Sequence, residues 1–356
     1  MSSPVPAAAE HPADVLDDAL YEQYVRACDM TYRGTVDMFV LKAAYELGLF
    51  GHLAEQPQSV EALATATGSR LNRLVKFTDM LVEMELLTRD AEGRLALTPF
   101  ARQFFLPPNP ANENLTMEPF VRYAVTIMER YHLHLAKVIR GEMDFTALTP
   151  WPPRTREDSA FYEEIHRSNN HFVRNLLVEE ADLEGVTHLL DVGGGNGDIA
   201  IALAKRFPSI ERITLVNLPS ALEIVRDNVA AHGLSDRIVP MALDMYRDPY
   251  PACDAVLFAR ILYPFNAQVC AMLLGKAQAA LPSGGRVIVA DMLLRDERGL
   301  ANYDYLAHFL TSVGVDPAMM TFKRQDEYFD VFGQLGFVDA RKVARHGHVL
   351  YQARKG

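Results

Sequence analysis

The apolar positions of this chain follow two successive patterns. From Val36 to Leu47 they recur at the spacing of a helix with one buried face, and Gly48 stops the run. Ser59 is placed to cap a second helix through Ala64, closed by Gly68, and Ser69 to Leu86 reads as a third. Leu87-Thr88-Arg89 and Arg94-Leu95-Ala96-Leu97 flank Asp90-Ala91-Glu92-Gly93, which predicts two short strands around a glycine-containing turn. Helices followed by a hairpin have the layout of a winged helix, expected over residues 15–110. Residues 1–14, rich in Ala, Pro and Ser, have neither the basic nor the apolar segment of a signal peptide and are expected to be a disordered lead-in.

Pro107-Pro108-Asn109-Pro110 marks a boundary, and residues 111–180 are mostly helical apart from Pro150-Trp151-Pro152-Pro153. From His188 the pattern changes. Strand-like runs at His188–Val192, Arg212–Asn217, Ile238–Leu243, Ala255–Ala259 and Arg286–Asp291 alternate with helical stretches at Ile199–Arg206, Ser220–His232 and Ala267–Leu281. Repeated β-α units predict a parallel, doubly wound sheet, so residues 181–356 are expected to be an α/β domain.

Charge and cysteine content narrow the function. With 35 basic and 46 acidic residues the net charge is −11, the wrong sign for displacing counterions from nucleic-acid phosphates. The third helix repeats this locally, with Arg70, Arg73 and Lys76 set against Asp79, Glu83 and Glu85. Cys28, Cys253 and Cys270 are too few and too scattered for a disulfide framework or zinc cluster, which fits a reducing cytoplasm. No apolar run approaches the roughly 20 residues of a membrane span.

The chemistry concentrates after the first strand of the α/β domain. Asp191-Val192-Gly193-Gly194-Gly195-Asn196-Gly197 is a glycine-rich turn between a buried strand and a helix N-terminus. Glycine allows unusual dihedrals and close approach of a ligand to the main chain, and the helix end adds free N–H groups. Such a turn also suits dinucleotides. The acidic-x-Gly-x-Gly-x-Gly spacing and the long helical section before the sheet favour S-adenosylmethionine (SAM) over NAD. Asn217 stands beside Leu218 at the end of the second strand, where an acid normally meets the ribose, and its amide can also bond a hydroxyl. After the third strand, Asp244 is placed to accept from the adenine amino group and Met245 to pack on the ring.

The assembly resembles the O-methyltransferase family of plant caffeate-type and bacterial natural-product enzymes. The shared landmarks are Ala43-Ala44-Tyr45-Glu46-Leu47-Gly48-Leu49-Phe50, the glycine loop, Asn217-Leu218-Pro219, Pro282-Ser283-Gly284-Gly285-Arg286 and Gln334-Leu335-Gly336-Phe337. The resemblance implies a class I SAM-methyltransferase Rossmann-like domain, an N-terminal winged-helix dimerisation domain, a homodimer, and S-adenosylhomocysteine (SAH) as co-product. It also implies that Tyr162, His166 and Asn169 sit on a helix covering the cofactor, and that Arg260 stands near the adenine. Residues 153–158, 161–169, 258–263 and 303–308 are most similar to a branch that methylates the C-20 meso carbon of bacteriochlorophyllides.

Where the O-methyltransferases carry a His general base, this chain has Tyr263. With a reference pKa near 10, neutral Tyr is a poor base at pH 7. The resemblance places His308 at the substrate pocket, as a base or as an axial ligand to a substrate Mg²⁺. The reading is therefore C-methylation of a large planar acceptor such as a tetrapyrrole. O-methylation of a smaller aromatic, a SAM-binding relative that has lost transfer, and a winged-helix DNA-binding protein are the alternatives. Two His pairs stand apart. His132 and His134 are expected on different faces of a helix, and His346 and His348 on one face of a strand.

Overall fold

The computed structural model of the chain describes residues 22, 25, 36–108, 116–143, 153–263, 265–292 and 327–356. These divide between two compact units, with the break between Arg102 and Gln103. The helices of the 118–180 region thus belong with the α/β unit. Residues 1–14, Cys28, Trp151 and His308 lie outside the described residues.

In the first unit a helix over 36–46 (α1) leads through Gly48, at φ 66°, into α2 (Leu49–His52). The Ser59 side chain accepts the Ala62 N–H at 3.2 Å to start α3 (Val60–Thr67), and Gly68 ends it at φ 65°. After α4 (Leu71–Glu83), β1 (Leu87–Arg89) and β2 (Leu95–Leu97) pair antiparallel, and α5 (Pro99–Phe104) follows. Asp79 on α4 pairs with Arg89 at 2.6 Å and lies 3.7 Å from Lys76, so one of the three cations of the third helix has an acid beside it within the unit.

The second unit opens with α6 (Glu118–Tyr131), α7 (Leu135–Ile139), α8 (Arg156–Asn169) and α9 (His171–Glu180). Then come β3 (His188–Val192), α10 (Asp198–Arg206), β4 (Arg212–Asn217), α11 (Leu222–Ala231), β5 (Ile238–Ala242), β6 (Ala255–Ala259), α12 (Ala267–Ala280) and β7 (Arg286–Met292). These elements match the expected alternation to within two residues at each end, because long stretches of period 2 or 3.6 leave few other ways to bury their apolar side chains. The last elements are α13 (Glu327–Gln334), β8 (Phe337–Arg345) and β9 (His348–Lys355).

The sheet order is β5-β4-β3-β6-β7-β9-β8, with the first five strands parallel. Alternate residues face opposite layers. Leu189, Leu257 and Ile288 pack with α9, α10 and α11, whereas Leu190, Val256, Phe258 and Val289 pack with α12 and α13. Both faces are covered, as a parallel sheet requires. β9 enters antiparallel beside β7, with His348 opposite Met292, so His348 joins the edge where the parallel strands end. His346 does not share a strand face with it. His346 and Gly347 take φ of 47° and 74° in the two-residue turn between β8 and β9, a turn that demands positive φ at both positions.

Candidate cofactor and substrate site

Because β3, β4, β5, β6 and β7 are parallel, their C-terminal ends share one edge, where ligands bind in open α/β sheets. The glycine loop leaves β3 at this edge. Its Gly193 and Gly194 amides donate to Val216 O on β4 at 2.9 and 3.4 Å. Gly193, Gly195 and Gly197 take φ of 72°, 55° and 89°, so the expected need for positive dihedrals holds. The space beside the loop is filled largely by the protein itself. A Cβ on Gly194 would overlap Asp191 Oδ2 and lie 2.6 Å from Leu215 Cγ, and one on Gly193 would run into Ile261. These glycines therefore let the loop sit tightly on its own sheet, with the N–H groups of residues 193–198 donating within the chain.

Two carboxyls flank the loop. Asp191 is fully buried, and neither of its oxygens has a hydrogen-bond partner. Burial alone pushes its carboxyl up to about 7. On the other side stands Glu163 of α8, which the sequence reading did not single out. It accepts the Asn196 N–H, while its buried Oε2 has no partner and would lie 3.0 Å from a Cβ on Gly195. Burial, opposed by the Asn196 bond and reinforced by Asp198, pushes this carboxyl up to about 7 as well. Asp198 itself is saturated. It takes Asn228 Nδ2 at 2.8 Å and Asn196 Nδ2 at 3.1 Å, with Arg167 Nε at 3.3 Å.

The helical repeat explains why α8 presents this face. Glu163 and Arg167 are four residues apart and meet the loop and Asp198 together. Tyr162, one residue away, is turned into the helix packing, its ring centroid 6.3 Å from Tyr123 and 5.8 Å from Phe161. His166 is half-buried, and the Asn169 side chain lies outside the described residues. The Glu-x-x-x-Arg spacing followed by an acid in the first turn of α10 was the available signal.

Asn217, at the end of β4, braces the loop. Its Nδ2 donates to Gly195 O at 2.9 Å, and its Oδ1 accepts the Leu218 N–H at 2.7 Å. One amide hydrogen and one lone pair remain for a hydroxyl. After β5, Asp244 Oδ1 accepts the Tyr246 and Arg247 N–H groups at 2.8 and 3.3 Å. Met245 packs on the α12 side of the core, and its carbonyl accepts Lys276 Nζ at 2.7 Å.

A second polar group lies past β6. Arg260 holds φ 58° and donates to Asn170 Oδ1 at 3.1 Å and to the Tyr263 hydroxyl. It also faces His348, whose Nδ1 lies 3.0 Å from His346 O. Arg260 is thus bonded toward Asn170 and Tyr263. Tyr263 is 9% exposed. Burial, and secondarily Asp291, push its phenol above the usual value against the opposing pull of Arg260. Asp291 in turn accepts the Tyr328 hydroxyl. Among the described residues no three His, Cys, Asp or Glu side chains are grouped to hold a metal.

The buried, unpartnered carboxylate oxygens suit a cationic ligand, and the edge from Asn217 to Asp244 offers groups for a nucleoside. Sheet order, glycine loop and this donor set define a class I SAM-dependent methyltransferase. An O-methyltransferase domain model matches residues 149–338 and an O-methyltransferase dimerisation domain model matches 31–106, and the chain belongs to the O-methyltransferase family. It is 39% identical to the bacteriochlorophyllide d C-20 methyltransferase of Chlorobaculum tepidum, over 94% of this chain and 98% of that one. Identity to the demethylspheroidene O-methyltransferase of Cereibacter sphaeroides is 29%, covering 78% and 73%. The crystal structure of human N-acetylserotonin methyltransferase with SAM has the same fold, with a TM-score of 0.75 at 21% identity over 94% and 98% of the two chains.

Proposed function

We propose that this chain transfers a methyl group from SAM to carbon, on a large planar acceptor of the bacteriochlorophyllide type. The observation that carries the reading is Tyr263. It stands where the resemblance to the O-methyltransferases places a His base, and its phenol is buried and less acidic than usual. It therefore stays protonated at neutral pH and cannot deprotonate a phenolic acceptor. A carbon acceptor makes no such demand. Its own electron pair forms the C–C bond while the S–CH₃ pair remains on sulfur, and the cationic carbon then sheds its proton readily, even to a weak base. The identity to the C. tepidum enzyme supports the same acceptor class.

The cofactor, when bound, supplies a methyl group on cationic sulfur with a neutral thioether as leaving group. Asp191 and Glu163 would balance its charge, Asn217 would receive a ribose hydroxyl, and Asp244 and Met245 would receive the base. Tyr263, held by Arg260, orients the acceptor as a hydrogen-bond donor. Fixing both partners in line provides most of the acceleration. The match of residues 31–106 to a dimerisation domain supports a homodimer. Among the described residues no helix is long and apolar enough to cross a membrane.

Incubation with SAM and bacteriochlorophyllide d should add one methyl mass to the chlorin. Gain on a phenolic substrate with none on the chlorin would sink the assignment in favour of O-methylation. His308 is proposed to take the departing proton or to anchor the substrate metal. His308→Ala should abolish turnover and leave SAM affinity within about twofold, and unchanged turnover would refute its role.

A further inference from the structure

We propose that Glu163 receives the α-ammonium group of the cofactor's methionine end, acting as its charged anchor above the glycine loop. The inference rests on the cofactor reading above and extends it to one residue and one ligand atom.

The placement follows from the order of groups along the strand ends. If the ribose meets Asn217 at the end of β4 and the base meets Asp244 after β5, the amino-acid end must run the opposite way. It then passes over Gly193–Gly197 toward α8. Three carboxylates stand near that path, and their surroundings differ. Asp198 is saturated by Asn196, Asn228 and Arg167. Asp191 is fully buried, in the space a Gly194 side chain would take on the sheet side of the loop. Glu163 approaches from α8 against Gly195. It accepts the Asn196 N–H, which fixes the carboxylate, and keeps Oε2 buried without a partner.

A buried carboxylate oxygen without a donor carries a desolvation cost that an ammonium group offsets. The methionine portion brings one ammonium and one carboxylate. The ammonium requires an acceptor, and Glu163 supplies one with charge. The Cβ of any other residue at 195 would crowd Oε2 at 3.0 Å, so a glycine at 195 leaves room for this arrangement.

The test uses the full-length chain and two ligands, SAH and its analogue lacking the amino group, with affinities measured by calorimetry. The wild-type chain should bind the amino-less analogue about 30-fold or more weaker than SAH, the range of a charge-assisted bond lost in a dry site. Glu163→Gln should weaken SAH by a similar factor and bind the two ligands within about threefold of each other. Equal penalties for amino-group loss in the wild type and in E163Q, with SAH binding intact, would overturn the Glu163 assignment alone. A wild-type chain that does not bind SAH would overturn the cofactor reading and this inference with it. If E163Q does not fold, the wild-type ratio still decides, since a ratio near one refutes the role. Glu163→Asp, which keeps the charge on a shorter arm, should fall between the two.

Discussion

The Asp191→Asn chain should melt at a higher temperature than the wild type at pH 8 and gain far less from added SAM. The two halves have one cause. Folding takes the Asp191 carboxyl from its ordinary value of 3.8 to about 7, because burial strips water from both oxygens and no donor replaces it. A folded-state pKa above the unfolded value means that the folded chain holds the proton more tightly. The associated stability is fully present below about pH 4, declines as pH rises, and is lost above about pH 7. Three units correspond to about 4 kcal/mol as an upper bound, at about 1.4 kcal/mol per unit. Asparagine is neutral at every pH and escapes this cost, so the stabilisation should appear at pH 8 and vanish near pH 4. The same neutrality removes the field that favours a cationic ligand. Thermal melts at pH 4.5 and pH 8, with and without SAM, test both halves. A variant melting below wild type at pH 8 with an undiminished SAM shift would refute the argument.

Gly194→Ala should abolish measurable SAM binding and lower stability by about 1–3 kcal/mol, the usual range for forcing a methyl group into packed structure. The added Cβ would overlap Asp191 Oδ2 and sit 2.6 Å from Leu215 Cγ. Leu215 is fully buried in the middle of β4 and Asp191 in β3, so neither side chain can swing aside. The loop would have to lift, and its hydrogen bonds to Val216 O would stretch. Gly284→Ala is the control. Gly284 has positive φ, at 75°, which Gly194 does not, and nothing lies within 4 Å of an added Cβ. It should cost only the local strain, roughly 1 kcal/mol, and leave SAM affinity unchanged. Equal loss of SAM binding in the two variants would show that a general loss of stability, and not crowding under the loop, is the cause.

The α/β alternation, the Ser59 cap, the Gly48 and Gly68 stops and the positive dihedrals of the loop were all legible in the chain. Each rests on neighbours within about four residues, where side-chain type and backbone preference act directly. The same locality explains why the turn from Asp191 to Gly197 could be read from its spacing, whereas Tyr263 was singled out through the family resemblance alone. Choosing among adjacent residues of a helix was harder. On α8, Tyr162 and Glu163 differ by 100° of rotation, and only the packing of Tyr162 against Tyr123 shows which one faces the loop. A sequence with long polar and aromatic side chains on both faces is compatible with either orientation.

By itself, then, the sequence determined a SAM-type loop on a parallel sheet, because that is written in contiguous residues. Tertiary structure alone decided that Asn217 braces Gly195, that β9 inserts beside β7 to bring His348 to the ligand edge, that Arg260 bonds Asn170 and Tyr263, and that Glu163 and Asp191 are left buried without full partners. Those facts depend on pairs far apart in the chain. Desolvation and the direction of a side chain are properties of everything packed around a residue, and no local pattern contains them.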